Sequence, residues 1–361
     1  MKKILIVIPT LVQGGGQKFV LDLAKGIDKN KYQVKILTYY DLISDCFFKD
    51  FKQLDEECVE IIKLNKKKGL DLSFFSKVKK VVREYDPDVI HSNLDTLLYL
   101  FGTFRKKQVK LHTVHTLAQK EAIGLQKIVR KIAFKGFKVL PVAISDVVAE
   151  SVKEYYKITE VPVAYNGVRC CDYVGERKYS DKVRLMATGT LYPVKNYEYL
   201  IDCFYEIAKT YPNTTLTILG DGPLRNDLQK KIETLGLVDK VTLMGEVSNV
   251  KAYLLDADIF VSSSIYEGLP LSMLEAMASG LPVVANDVGG IKEIVQNDYN
   301  GYIVPLGDKD AYIKSVEKLI LNLEKRENAS INAKTLASEF DEKKTVELYE
   351  KLYENKKIGN N

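Results

Sequence analysis

The sequence predicts an α/β protein made of two successive doubly wound, Rossmann-like domains. Three observations carry that expectation. Short, almost wholly apolar runs alternate with helical patterns. The alternation stops in a polar, turn-rich stretch between Asn166 and Lys182 and then begins again. A chain of 361 residues is also long enough for about two average domains. Parallel strands with right-handed helical crossovers follow from the first observation, and a boundary near residues 170–181 follows from the second. The expected division is a first domain over residues 1–170, a second over 171–340, and a C-terminal helix and tail over 341–361.

Taken in order, Lys3 to Ile8 is the kind of continuous apolar run that a strand buried on both faces needs, and a helix starting near Gln17 follows it. Further strands are expected at 33–38, 59–64, 88–91, 109–115, 139–144 and 161–164. The second series starts at 183–188 and continues at 214–219, 240–244, 258–261 and 282–285. Helical patterns at 310–328 and 342–356 close the chain, and no repeat of the length seen in solenoids interrupts it.

Composition narrows the class. With 46% apolar residues the chain is neither fibrous nor extensively disordered. No run approaches the roughly 18 apolar residues of a membrane span, and Ile4 to Ile8 is too short for a secretory leader, so the expected location is the cytoplasm. Cys46, Cys58, Cys170, Cys171 and Cys203 are odd in number and form no C-x2-C pair, which argues against a disulfide framework or a zinc site.

The net charge of +5 conceals an asymmetry. Residues 1–168 carry 29 Lys and Arg against 19 Asp and Glu, whereas residues 169–361 carry 24 against 29. Much of the first excess lies in Arg105 to Lys138, whose only acid is Glu121. Within it, Ile123, Ile128, Ile132, Phe134 and Phe137 stand among Lys127, Arg130, Lys131, Lys135 and Lys138. A basic amphipathic helix on an anionic membrane surface fits that pattern. Nucleic acid is the rival partner, but no nucleic-acid motif accompanies the charge and the apolar positions exceed what phosphate contact requires. A merely solvated helix is the third reading.

Folds of this kind bind ligands at the carboxyl ends of their strands, so the loops there are where chemistry is sought. Gly14-Gly15-Gly16 follows the first strand, where glycines let backbone amides approach a phosphate at a helix N-terminus. The dinucleotide spacing fails at Phe19, and a plain flexible turn stays open. The strongest signal runs from Ser264 to Ala285. Glu267 stands in the loop after an apolar strand, Gly268-Leu269-Pro270 leads into a helix, and Glu275 lies in its second turn. The first helical amides, of Leu271 and Ser272, suit a diphosphate, and a carboxylate there suits ribose hydroxyls.

The Glu267-x7-Glu275 block, with Gly268, Pro270, Ala276, Gly280 and Pro282 around it, closely resembles the signature of retaining nucleotide-sugar glycosyltransferases of the GT-B fold, family four type. The same order of motifs runs nearly the whole chain. Gly14-Gly15-Gly16, Asp88 to His91, Asn166-Gly167-Val168, the loop Gly189 to Asn196 and the turn Leu219 to Leu224 each resemble a motif of that family. The resemblance implies two Rossmann-like domains facing a cleft and a C-terminal helix that returns to the first. It also implies a hexose transferred from a nucleoside diphosphate sugar, UDP-linked, to a lipid-linked or saccharide acceptor with retention of configuration, in cell-surface polysaccharide biosynthesis.

By the same resemblance Glu275 holds the donor ribose, and Glu267 with the amides after it faces the transferred sugar and phosphates. Lys195 neutralises the leaving diphosphate, with Thr190, Gly15 and Gly16 also at the donor. Where the family commonly has arginine this chain has Thr190, and Arg225 is a candidate replacement. His115 matches the family's histidine near the donor sugar, and His91, ending a strand, is a second candidate at the rim. Strand alternation puts His112 and His115 on opposite faces. Asp86-Pro87-Asp88 and Asp256-Ala257-Asp258 spell a metal-binding Asp-x-Asp but stand at the amino ends of strands. Neither a metal nor a cofactor is therefore expected. A nucleotide-sugar 2-epimerase of related architecture is the competing enzyme, and a sugar-binding module without catalysis is the other alternative.

Overall fold

The computed structural model describes residues 1–12, 14–43, 47–175, 177 and 180–355. Cys46, one of the cysteines named above, lies outside the described residues. The chain divides into two compact units, Met1–Asn166 together with Glu342–Asn361, and Gly167–Asp341.

In the first unit the strands are β1 (Lys2–Ile8), β2 (Tyr32–Thr38), β3 (Glu60–Lys63), β4 (Val89–Asn93), β5 (Val109–Val114) and β6 (Leu140–Ala143). The helices are α1 (Gly15–Gly26), α2 (Phe48–Glu56), α3 (Leu72–Tyr85), α4 (Leu97–Leu100), α5 (Ala118–Glu121), α6 (Leu125–Lys135) and α7 (Asp146–Tyr156). The sheet is parallel in the order β3-β2-β1-β4-β5-β6. Ile4 to Ile8 are fully buried, as a central strand covered on both faces requires. Each such side chain contributes about 1.5–3 kcal/mol.

The second unit repeats the plan. Its strands are β7 (Val183–Thr188), β8 (Thr214–Leu219), β9 (Val241–Gly245), β10 (Ile259–Ser262), β11 (Val283–Asn286) and β12 (Gly301–Val304), ordered β12-β11-β10-β7-β8-β9 and again parallel. The helices are α8 (Tyr197–Thr210), α9 (Arg225–Thr234), α10 (Val250–Asp256), α11 (Leu271–Ala278), α12 (Lys309–Leu321) and α13 (Leu323–Glu339). In each sheet the first strand is central and the order reverses beside it, between β1 and β4 and between β7 and β10. These are the topological switch points where doubly wound sheets take ligands.

The last helix, α14 (Glu342–Tyr353), belongs to the first unit. It lies along α1, where a side chain on Gly26 would meet Val346, and Glu350 accepts a hydrogen bond from the Asp28 amide at 2.9 Å. Tyr349 and Tyr353 reach the interior beside β4.

Several expectations are corrected. Residues 161–164 form only a bridge, Val163 to Ala143, because Pro162 has no amide hydrogen to extend the ladder. The sequence reading missed β12, a four-residue strand opened by Gly301, where a Cβ would stand 2.0 Å from the Val283 carbonyl oxygen. The helix expected over 310–328 is two helices, split at Asn322, whose side chain caps α13 by accepting from the Lys325 amide at 2.8 Å.

The basic segment is not one helix either. Ala122 is extended and Gly124 has φ +55°, which separates α5 from α6. Arg130 and Phe134 are buried rather than surface residues. The exposed stripe of α6 is Leu125, Ile128 and Ile132, beside the exposed Lys131 and Lys135. Among the described residues no helix is long and apolar enough to cross a membrane.

Candidate active site

In the second unit the loops at the carboxyl ends of β7, β10 and β11 converge at the switch point. After β7, Gly189 has φ +151°, and a Cβ there would stand 2.9 Å from Lys195 Cε and 3.1 Å from the Tyr197 hydroxyl. The missing side chain thus lets the Lys195 stem run across the backbone. Gly220 and Gly222 of the turn after β8 allow a similar approach to Gly189 and Leu191, and the Leu191 amide donates to the Asp221 carbonyl at 2.9 Å.

Lys195 Nζ reaches Glu267 Oε1 at 2.6 Å, and both side chains are largely buried. The Ser264 hydroxyl donates to the same oxygen at 2.7 Å, and the Ser263 hydroxyl donates to the Lys195 carbonyl at 2.7 Å. The two residues expected to serve leaving group and sugar therefore hold each other here. The loop carrying Glu267 is braced from below: Asn286 at the end of β11 donates to the Ser263 carbonyl at 2.9 Å, and the Gly290 amide donates to the Gly268 carbonyl at 2.9 Å.

Gly268, Leu269, Pro270 and Leu271 are buried, so the side chains of Leu269 and Leu271 serve packing and only their backbone is available to a ligand. The amides of Leu271 and Ser272 open α11 beside Glu267, where the partial positive charge of a helix start favours an anion. Glu275 lies one turn farther along and is partly exposed. Thr190 is partly buried in the β7 loop. Arg225 is engaged elsewhere in this unit, its guanidinium pairing with Asp221 at 3.3 Å and donating to the Leu243 carbonyl at 2.8 Å.

At the switch point of the first unit, Gly15 and Gly16 open α1, and a Cβ on Gly16 would stand 3.6 Å from the His115 ring and from Leu94. His115 follows β5 and is half-buried, with Nε2 3.0 Å from Asn93 Oδ1. Its amide and that of Thr116 donate to Glu121 Oε2 at 3.0 and 3.4 Å, while Glu121 Oε1 pairs with Arg130 at 3.2 Å. Burial and then the Arg130 charge push the His115 imidazole down to about 3, so it is neutral near pH 7. Burial raises the Glu121 carboxyl against the opposing pull of Arg130.

The expectation for His91 is corrected. It lies within β4, not at its end, and is fully buried. Its Nδ1 is 2.8 Å from the Tyr353 hydroxyl and its Nε2 is 2.7 Å from Thr113 Oγ1, so both ring nitrogens are committed. Burial pushes it down to about 3. His112, whose Nδ1 is 2.9 Å from Ser92 Oγ, faces the other side of the sheet toward Phe134, as alternation requires.

Both Asp-x-Asp sequences bind arginine at the amino edges of their sheets. Asp86 pairs with Arg105, and Asp256 and Asp258 hold Arg184 at 2.5 and 2.9 Å. Sequence alone gives no role to Asn286, Gly289, Gly290 or Asn93, nor to the hydroxyl of Ser264. The paired glycines two residues after a buried strand are the one available signal among them.

Residues 13–170 match the family described as Glycosyltransferase Family 4, and residues 174–336 match Glycosyl transferases group 1. An uncharacterized glycosyltransferase of Haemophilus influenzae is 27% identical over 362 residues, covering 96% of this chain and 98% of the relative. A Campylobacter jejuni enzyme is 25% identical over 352 residues, 94% of this chain and 95% of its own. It is named as an α-1,4-N-acetyl-D-galactosaminyltransferase acting on an undecaprenol-diphosphate-linked saccharide. Among solved structures, Anabaena HepE in complex with UDP superposes with a TM-score of 0.80 at 19% identity, covering 98% of this chain and 100% of that one.

Proposed function

The chain belongs to the GT-B glycosyltransferases, and from that premise we propose that it moves a hexose from a UDP-linked sugar to a lipid-linked or saccharide acceptor in cell-surface polysaccharide assembly, with retention of configuration. The observation that carries the reading is the Lys195–Glu267 pair at the start of α11, at the switch point of the second sheet. In the transfer, the bond between the anomeric carbon and the diphosphate oxygen breaks, the acceptor oxygen bonds to that carbon, and the acceptor's hydroxyl proton passes to the departing diphosphate oxygen. Negative charge then builds on the departing diphosphate, where Lys195 and the first amides of α11 oppose it. Glu275 holds the ribose hydroxyls and Glu267 faces the sugar once a donor draws Lys195 away, while in the first unit His115, neutral near pH 7, is able to hydrogen-bond a hydroxyl.

UDP as the nucleotide is supported by the Anabaena complex, and a lipid-linked acceptor by the Campylobacter relative. No metal is required in this reading, because a lysine and helix amides supply the positive charge at the leaving group. The protein acts on the cytoplasmic face of the membrane, docking through the exposed stripe of α6 and the lysines beside it. The epimerase alternative draws no support from the relatives, which are named as transferases.

Replacing Glu275 with Ala removes the ribose hydrogen bonds and weakens UDP binding by about ten-fold or more, measured by calorimetric titration. An unchanged affinity would remove Glu275 from the donor site. Incubation with donor alone separates the enzymes, since slow release of free UDP fits a transferase and an epimerised nucleotide sugar contradicts it.

A further inference from the structure

We propose that a cavity at the carboxyl edge of the first sheet receives the hydrocarbon chain of a lipid phosphate, with Lys66 at its rim meeting the phosphate. The acceptor is then lipid-linked rather than a free saccharide, an inference that rests on the transferase reading above. The cavity has a volume of about 410 Å³, within the range of small-molecule sites, and lies entirely in the first unit. Its walls are mainly Leu70, Leu97, Leu98, Leu125 and Val129 with the rings of Tyr40 and Tyr99. A free saccharide needs hydrogen-bonding walls, and these are largely hydrocarbon.

The charged groups at the cavity separate into one neutralised set and one cation. Arg130 is paired with Asp95 at 3.3 Å and with Glu121 at 3.2 Å. Lys66 has no carboxylate partner among the described residues. Its ammonium donates to the carbonyls of Lys67 at 2.9 Å and Gly69 at 2.5 Å, between the rings of Tyr40 and Tyr99 at 5.4 and 5.2 Å. A fixed cation beside an apolar cavity matches an amphiphile that carries a phosphate on a hydrocarbon chain.

Two further observations agree. Leu70 and Leu125 line the cavity yet are 67% and 65% exposed, and Ile128 and Ile132 continue the same stripe of α6 outward, so the apolar lining reaches solvent where a lipid would enter. The cavity also adjoins the switch point: Leu94, one of its walls, is the residue packed against Gly16 next to the His115 ring.

The test is calorimetric titration of the full chain with farnesyl phosphate below its aggregation concentration, with farnesol and inorganic phosphate as separate arms. One-site binding of farnesyl phosphate is expected, at least ten-fold tighter than farnesol and with no measurable binding of phosphate alone. Lys66→Ala should remove the preference for the phosphate and Lys66→Arg restore it, while Leu125→Asp at the exposed rim should weaken both ligands. Equal affinity for farnesol and its phosphate, or unchanged affinity in Leu125→Asp, would overturn the proposal. UDP titration of the same preparations keeps the two readings apart. UDP binding without farnesyl phosphate binding refutes the lipid site alone, and the reverse refutes the donor assignment alone.

Discussion

Lys195 and Glu267 are oppositely charged, largely buried and 2.6 Å apart, so each satisfies the other. On the proposed role of Lys195, a bound diphosphate exchanges that contact for a new one, which ties donor affinity to the Glu267 loop. With Lys195 at the leaving group as proposed, Lys195→Ala should lower kcat by roughly 10²–10³-fold with a smaller effect on donor KM, read from steady-state release of UDP. At this scale a residue type and its neighbours in one continuous motif were enough to single out Lys195 and Glu267, which the fold brings together. The sequence was silent on Asn93 and the Glu121–Arg130 pair, because their roles arise from contacts between segments that only folding brings together. His91 was misjudged for the same reason: Tyr353, which occupies one of its nitrogens, is 262 residues away.

Long apolar runs identified most strands, since only a buried parallel strand needs such a run. Elements that failed to announce themselves were short or punctuated. β12 starts with a glycine that ordinarily weakens a strand, and here the glycine is demanded by close approach to β11. The loop after β11 shows the same principle with a functional edge. Gly289 has φ +56°, and a Cβ there would stand 1.8 Å from the Glu267 carbonyl oxygen. Gly289→Ala therefore has to displace the Glu267 loop and adopt a left-handed conformation costing about 1–2 kcal/mol by itself. Lower urea stability together with weaker UDP binding is the expected result, and a variant with unaltered UDP affinity would separate this brace from the donor site. For α6 the basic character was legible but the facing was not. The segment buries Arg130 and exposes Leu125, because the apolar positions satisfy two different faces.

Over the whole chain, charge and histidine are unevenly shared. All three histidines lie in the first unit, buried or half-buried and held down in pKa, His91 and His115 to about 3. The unfolded chain protonates them near pH 6.5, so the stability gained from keeping them neutral is full above that pH and is lost as pH falls toward 3. Each can cost up to about 1.4 kcal/mol per pH unit in that window. Hydrogen exchange, corrected for intrinsic rates, should show β4 and β5 losing protection between pH 7 and 5 more than β7 and β10. Equal loss in both sheets would count against the histidines as the cause. The basic excess is testable on vesicles. Sedimentation with anionic liposomes should fall markedly in Ile128→Asp/Ile132→Asp and with added salt, since each lysine near such a surface contributes on the order of 1 kcal/mol. Equal binding to neutral vesicles would reject the electrostatic account.

The position of α14 has a consequence for synthesis. Tyr349 and Tyr353, which cover His91, Thr113 and Phe19, are translated only after the whole second unit, although the sheet they complete is made before it. Throughout translation of the second unit, the nascent first sheet carries an open aromatic face with unpaired polar groups. The first sheet therefore stays incomplete until α14 emerges, so a chain ending before residue 342 would expose that aromatic face and be a sticky polypeptide rather than a functional fragment.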